Sequence, residues 1–517
     1  MKRFFYKTLI FTLIFGSFYA CDPTGIQSIS LDKTIVEINI GESVILQLTI
    51  LPESTIESIE WSSSDTSVAT VVKGIVTGIA EGSATISASA GNKSASCLVF
   101  VYDDGNHNLH PGENVDNALH LLPKSKKRGV SFSFSLQEDV TLLSPATSWS
   151  YNWGPAPADV INTVFKENQM DFFPMAWNGG YSPDKIRAYK AENPHCEYIL
   201  GFNEPNLTDQ CNYTPAQAAE FWPGLKALAD ELNMKLISPA MNYGTLAGYS
   251  DPIKWLDEFF SLIPLSDVDG IAIHCYMSNA GGVKSYINMF KKYGKPIWMT
   301  EFCAWDGGVS PTSQMNYMCE IINYMEADPD IERYAWFIPR ASGNIDTYPY
   351  MQLLTKTQPF QLSALGRVFV GLSSQDKSIW QSTENHILAQ TYSSISTVES
   401  LTGNFVSGPH LRPTTDTSGD LELCDFYNNN WVEYQIENKE NINAIRLRYS
   451  NFATSECEIW VDGVLSKTVE LTSTTDSSIW NTKEDSLNIP SGKHTLRIKV
   501  TRGNICLNWI KFNEHQY

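Results

Sequence analysis

The stretch YILGFNEP (198–205), then PAQAAEFWPGLKALADELN (215–233), then LISPAMNY (236–243) reads as strand, helix and strand in succession. The outer pieces are short apolar runs of strand length. The middle one opens on Thr214 and Pro215, residue types that start helices. Two strands joined by a helix run parallel, so this stretch predicts a βαβ unit. The same alternation extends in both directions. Further extended segments are RGVSFSF at 128, SWSYNW at 148, DFFPMAW at 171, GIAIHCY at 270, IWMTEF at 297 and RYAWFIP at 333. Helical stretches such as DPIKWLDEFFSLI (251–263) and PTSQMNYMCEIINYMEA (311–327) lie between them. Eight strands interleaved with helices over residues 127–374 predict a central (β/α)8 TIM barrel.

Outside this span the pattern changes. Residues 23–103 hold short alternating strands and turn clusters, as in IVEINIGESVILQLTI and GSATISASAG, and predict a small β-sandwich. Residues 104–126 are polar, rich in Asn, Gly, His and Pro, and predict a linker. Residues 378–517 return to short strands, including NNWVEYQI, AIRLRYS, CEIWVDGV and ICLNWIKF, and predict a second, jelly-roll-like β-sandwich. A chain of 517 residues accommodates three such domains.

Lys2 and Arg3, an apolar run from Leu9 to Ala20, and Cys21 form an export signal over residues 1–21, too short for a confident membrane span. The end of that signal resembles a bacterial lipobox, which implies acylation of Cys21 and a lipid anchor at an outer membrane or cell surface. Without the lipid the same signal implies a periplasmic or secreted protein. A net charge of -20 repels phosphate backbones, so nucleic acid is excluded as a partner. Besides Cys21 there are nine cysteines, which cannot all pair. They show no C-x-x-C metal spacing and read mainly as buried thiols, with one or two disulfides compatible. No metal and no cofactor is expected.

In a (β/α)8 barrel the reacting groups stand at the C-terminal ends of the strands. Glu204 ends the fourth strand and Glu301 the seventh. Two carboxyl groups across one glycosidic bond are what its hydrolysis requires, one to protonate the departing oxygen and one to attack or to activate water. An apolar strand end is expected to raise the pKa of the acid while its neighbour stays ionised. Other strand-end side chains are candidates for a sugar-binding shell: Trp153, Trp177, Asn178, Asn203, Asn242, Tyr243, His274, Tyr276, Trp305 and Trp336. Alternation puts His274 and Tyr276 on one side of the sixth strand, and Tyr276 is the residue expected to orient the nucleophile.

The motifs GFNEPN and WMTEFCAW, with the closing LSALGRVF helix, resemble glycoside hydrolase family 128 from about Arg128 to Val370. The resemblance implies a retaining double displacement on β-1,3-glucan, with Glu204 as acid/base, Glu301 as nucleophile and Asn203 against the 2-hydroxyl of the reacting sugar. Some relatives bind the glucan without strong cleavage, so a non-catalytic glucan-capture lipoprotein is the competing reading. An adhesin would leave the glutamate pair unexplained. WSSSDTSVATV and GIVTGIAEGSATISASAGNKSASC resemble the bacterial immunoglobulin-like domain of group 2, a spacer. NNWVEYQI, IPSGKHTLRIKV and LNWIKF resemble family 6-like carbohydrate-binding modules. Leu388, Gln390 and Asn508 depart from that module's acidic pattern, which argues against a structural calcium, and its cleft Asn falls at Cys506. Phe426, Tyr427 and Trp480 are its candidate stacking residues.

Overall fold

The computed structural model describes residues 26–513, except 27, 34, 53–57, 81, 92, 103–122, 306, 397, 400–404 and 407. The signal, Cys21 and most of the linker therefore lie outside the described residues. The chain divides into two compact units, Met1–Pro111 and Gly112–Tyr517.

In the first unit a four-stranded sheet (Ile35–Asn39, Lys93–Tyr102, Gly82–Ala90, Glu60–Ser63) accompanies a three-stranded one (Ser43–Ile45, Ile75–Gly78, Ala69–Val72). Ala84, Ile86 and Ala88 are buried at every second position, the period that points one face of a strand inward. Val36, Ile38, Leu46, Val76, Ile86, Val99 and Val101 share the core, an immunoglobulin-like arrangement.

The second unit begins with eight strands: β1 (Arg128–Ser131), β2 (Trp149–Tyr151), β3 (Asp171–Phe172), β4 (Tyr198–Ile199), β5 (Lys235–Leu236), β6 (Ile271–Cys275), β7 (Ile297–Phe302) and β8 (Ile331–Trp336). The helices are α1 (Gln137–Leu143), α2 (Asp159–Glu167), α3 (Pro183–Glu192), α4 (Pro215–Glu231), α5 (Pro252–Leu262), α6 (Ala280–Phe290), α7 (Pro311–Ala327) and α8 (Ala364–Gly371). Parallel ladders run in the order β3-β2-β1-β8-β7-β6, and β4 pairs β5 in a separate parallel ladder. Isolated parallel bridges join Met175 to Leu200, Ile237 to Gly270 and Met241 to Ile273, linking the segment after β3 to the one after β4 and the segment after β5 to β6 and the residue before it. Regular pairing is briefest where Pro174 removes a donor and where Gly201 lets backbones touch. A Cβ at Gly201 would lie 2.7 Å from the Ile237 carbonyl oxygen.

The helix starts are those the sequence predicts. Thr214 and Gln217 form a capping box on α4, Ser310 and Ser313 one on α7, and Asp251 caps α5. Inside the strands, Trp149, Phe173, Tyr198 and Trp298 pack ring against ring with centroids 4.7–5.8 Å apart. This aromatic layer is a dry floor under the C-terminal strand ends. Arg128, fully buried on β1, donates to Tyr334, to Glu326 and to the carbonyls of Phe369, Leu372 and Ser373. Every arm of its guanidinium is engaged, which ties β1 to β8, α7 and the end of α8.

Beyond residue 380 two mainly antiparallel sheets share a core. Trp431–Asn438, Gly492–Arg502 and Ser455–Val461 dominate one, and Leu421–Tyr427, Asn504–Phe512 and Ile442–Ser450 the other. Cys424 and Cys506 on neighbouring strands form a disulfide. Cys97, Cys196, Cys211, Cys275, Cys303, Cys319 and Cys457 are buried free thiols. Of the three stacking candidates only Tyr427 is exposed. Phe426 points into the core, on a strand whose pairing shifts register between Leu423 and Phe426, and Trp480 packs on the disulfide.

This module is fused to the helical layer through polar contacts. Arg367 of α8 pairs with Asp420, and His410 bridges Glu320 of α7 and Asp425, at 2.9 Å each. With a carboxylate on each ring nitrogen, His410 must donate twice and so be protonated. Burial would lower its pKa, but the hydrogen bonds and charges of Asp425 and Glu320 win and raise it. The His410 hydrogen bond in turn lowers Asp425, with help from Arg412 and Tyr427. A raised histidine stabilises the fold below its unfolded pKa, near 6.5, and that contribution is lost as pH rises through the folded value. We expect His410→Asn to destabilise the second unit by about 2 kcal/mol at pH 6 and to flatten the fall in its Tm between pH 6 and 9. Thermal unfolding across that range checks it.

Candidate active site

The chain leaves β4 through Gly201-Phe202-Asn203 and turns at Glu204, which adopts φ +43°, a left-handed conformation that only surrounding structure holds in place. Phe202 anchors the segment edge-on to Trp222 and Tyr213. Glu301 lies within β7. The pairing of β6 with β7 shifts between Ile273 and His274, and the shift sets His274 opposite Glu301. Glu204 and Glu301 are 6% and 4% exposed, and His274 is fully buried.

These three side chains form one cluster, with ligand-type atoms of all three within 4.8 Å of one another. His274 Nδ1 lies 2.9 Å from Glu204 Oε1 and 3.4 Å from Glu301 Oε2. Asn242 Nδ2 donates to Glu204 Oε1 at 3.0 Å. Glu301 Oε1 accepts from the Tyr151 hydroxyl at 3.0 Å and the Trp153 indole N–H at 2.7 Å. Tyr276 donates to Glu301 Oε2.

The charges follow from this geometry. Burial opposes a charged His274, yet Glu301 and Glu204 raise its pKa. For Glu204 burial alone would raise the pKa, but the His274 charge, its hydrogen bond and that from Asn242 lower it. The expectation of a raised acid is thereby corrected. The raised His274 and lowered Glu204 bias a shared proton toward the imidazole, whose Nδ1 faces both carboxylates while its Nε2 is buried without a partner. Burial and the charge of Glu301 push Tyr151 and Tyr276 well up, so both are neutral donors.

A cavity of about 590 Å³ opens over the cluster, lined by Trp153, Trp177, Asn203, Glu204, Leu207, Gln210, Asn242, Tyr276, Glu301, Trp305 and Phe337. His274 sits behind this lining. Trp336 is a correction: its indole is buried and donates to the Met351 carbonyl. Successive side chains on a strand face opposite ways, so the neighbouring Phe337 takes the cavity side and contacts Trp153, Tyr276 and Trp305. Asn178 is likewise outside the lining, with its oxygen accepting from the Gly180 N–H in a turn. Tyr243 is half-exposed and packs at a tilt against Tyr286.

Tyr151, Leu207, Gln210 and Phe337 were not singled out from sequence. Tyr151 was within reach, since it shares a strand face with Trp149 and Trp153. Gln210 stands in an irregular loop with no periodic signal. It accepts from Asn203 Nδ2 at 3.1 Å, which leaves Asn203 Oδ1 buried without a partner.

Among the described residues two groups have the composition of a metal site. Glu422, Cys424 and Cys506 do not fit one, because both sulfurs are in the disulfide. Glu204, His274 and Glu301 fit poorly, because the Glu301 oxygens already face N–H and O–H donors whose positive ends repel a cation.

Residues 129–369 match the family described as the glycosyl hydrolase catalytic core. A GH128 (subgroup II) endo-beta-1,3-glucanase from Pseudomonas viridiflava is 35% identical, over 48% of this chain and 98% of that one, with a TM-score of 0.44. The corresponding protein from Sorangium cellulosum is 33% identical, over 47% and 97%, with a TM-score of 0.43. The central domain is a glycoside hydrolase domain, and it is similar to these family 128 proteins over nearly their whole length. Residues 26–99 match the bacterial Ig-like domain of group 2, and residues 399–514 the family 6 carbohydrate binding module. Alkali-sensitive linkage protein 1 of Schizosaccharomyces pombe is 27% identical over 228 residues, 42% of this chain and 39% of that protein. The chain thus spans about two fifths of that curated relative.

The cluster of Glu204, His274 and Glu301 makes a direct prediction about its proton. Carboxyl NMR should find Glu204 titrating below the ordinary glutamate value in the ligand-free protein. In His274→Asn burial prevails and Glu204 should titrate above that value; an unmoved resonance would refute the assignment of charge.

Proposed function

We propose that the protein is a retaining β-1,3-glucan hydrolase, with the eight strands closed into a (β/α)8 barrel by the bridges around β4 and β5. The observation that carries the retaining reading is the approach of the two carboxylates, whose oxygens come within 4.8 Å through the His274 cluster. Direct attack by a carboxylate needs about 5–5.5 Å between the pair, whereas lodging a water between them needs about 6.5–9.5 Å. The substrate class follows the two family 128 relatives, both described as endo-beta-1,3-glucanases.

In this reading Glu301 is the nucleophile and Glu204 the acid/base. The proton that rests on His274 passes along the 2.9 Å hydrogen bond to Glu204 and from there to the departing glycosidic oxygen. As the C1–O bond breaks toward that oxygen, a Glu301 lone pair forms the glycosyl ester. Water then attacks C1, Glu204 takes its proton, and the ester electron pair returns to Glu301. Tyr276 orients the nucleophile. The unpartnered Asn203 Oδ1 is the acceptor for the sugar 2-hydroxyl, and Trp177, Trp305 and Phe337 offer flat apolar faces to the rings. A capture groove would use those faces but has no need of three donors trained on one buried carboxylate.

The purified protein should release reducing ends from linear β-1,3-glucan, and the first-formed product should be the β-anomer by proton NMR. Glu301→Gln should lower turnover roughly 10³-fold or more while leaving binding largely intact. Full turnover in that variant, or an α-anomer as first product, would overturn the proposal.

A further inference from the structure

The two oxygens of Glu301 are not equivalent. Oε1 accepts two hydrogen bonds, from Trp153 Nε1 and Tyr151 Oη, and Oε2 accepts one, from Tyr276. A carboxylate oxygen carries two in-plane lone pairs. Both face donors on Oε1, the Tyr151 hydroxyl lying 3.0 Å from it and 3.2 Å from the Thr300 carbonyl with which it shares its one proton, and one remains on Oε2, the oxygen 3.4 Å from His274 Nδ1.

The donors on Oε1 come from one strand and the turn that follows it. Trp153 sits at φ +61°, a conformation costing roughly 1–2 kcal/mol for a residue with a Cβ. The turn enforces it: the Asn152 side chain accepts from the Gly154 N–H and donates to the Ala156 carbonyl, and the Gly154 carbonyl accepts from Met175 beyond β3. The indole ring is boxed edge-on by Tyr151 and Phe337. A tryptophan kept only as a sugar platform has no need of this fixation, but an N–H aimed at one carboxylate oxygen does.

Building on the proposed role of Glu301, we infer that Trp153 and Tyr151 are positioning residues that reserve Oε1 as a hydrogen-bonded carbonyl oxygen and make Oε2 the attacking atom. The Oε2 lone pair forms the bond to C1 as the C1–O bond to the departing chain breaks, its electron pair leaving on that oxygen with the proton from Glu204. In the ester Oε1 is the carbonyl oxygen and keeps both donors. When water displaces Oε2, the returning electron pair restores a carboxylate whose charge the same donors meet.

Trp153→Phe keeps the ring and deletes the N–H, and Tyr151→Phe deletes the second donor in a residue free of backbone strain. On β-1,3-glucan oligosaccharides each should lower kcat about 10- to 100-fold with KM within about twofold. Each should also move the acidic limb of kcat/KM to higher pH, since a carboxylate stripped of donors protonates more readily. A raised KM with both kcat and the acidic limb unmoved would reduce Trp153 to a sugar platform and overturn the inference. If Glu301→Gln itself retains full turnover, the parent reading fails instead, and the two failures are told apart by that variant. Should Trp153→Phe not fold, Tyr151→Phe decides alone.

Discussion

Two carboxylates held within 4.8 Å of each other in a buried site repel by about 3 kcal/mol even at an effective dielectric constant of 20. Everything around them is arranged to make that proximity tolerable. His274 turns Nδ1 toward both, Asn242 steadies one, and Tyr151, Trp153 and Tyr276 solvate the other with neutral dipoles. None of these groups is mobile solvent, so the polar environment is already oriented when a ligand arrives. The aromatic floor beneath excludes water from the other side.

Much of this was legible in the sequence, because the information lies in periodicity. Strand-length apolar runs alternating with capped helical stretches located the parallel strands, and the rule that chemistry gathers at their C-terminal ends singled out Glu204 and Glu301. His274 and Tyr276 followed from alternation along β6. The same rule misassigned β8, where Trp336 shares the face of Phe302 behind the strand and Phe337 takes the cavity position. A one-residue error of parity exchanges a core side chain for a site side chain, and sequence offers no independent check.

Other features depend on contacts between elements distant in the chain. The protonation pattern was read the wrong way because it is set by where His274 falls relative to Glu204, seventy residues earlier, and no local signal reports that distance. Gln210 comes from a loop, where neither period applies. The Cys424–Cys506 pair was one of many pairings the cysteine count allowed, and it stands where the cleft asparagine of the resembled module would be. Phe426 turned inward on a strand with a register irregularity that composition does not encode.

The contacts of His410 and Arg367 with the C-terminal sheets have a mechanical meaning for how the chain meets a polymer. A module on a loose tether samples many orientations and raises local concentration without choosing a direction. One bolted to α7 and α8 by a buried histidine bridge and a partly exposed ion pair is held in one orientation relative to the cleft. A polymer that touched both would therefore meet them in one fixed relative orientation.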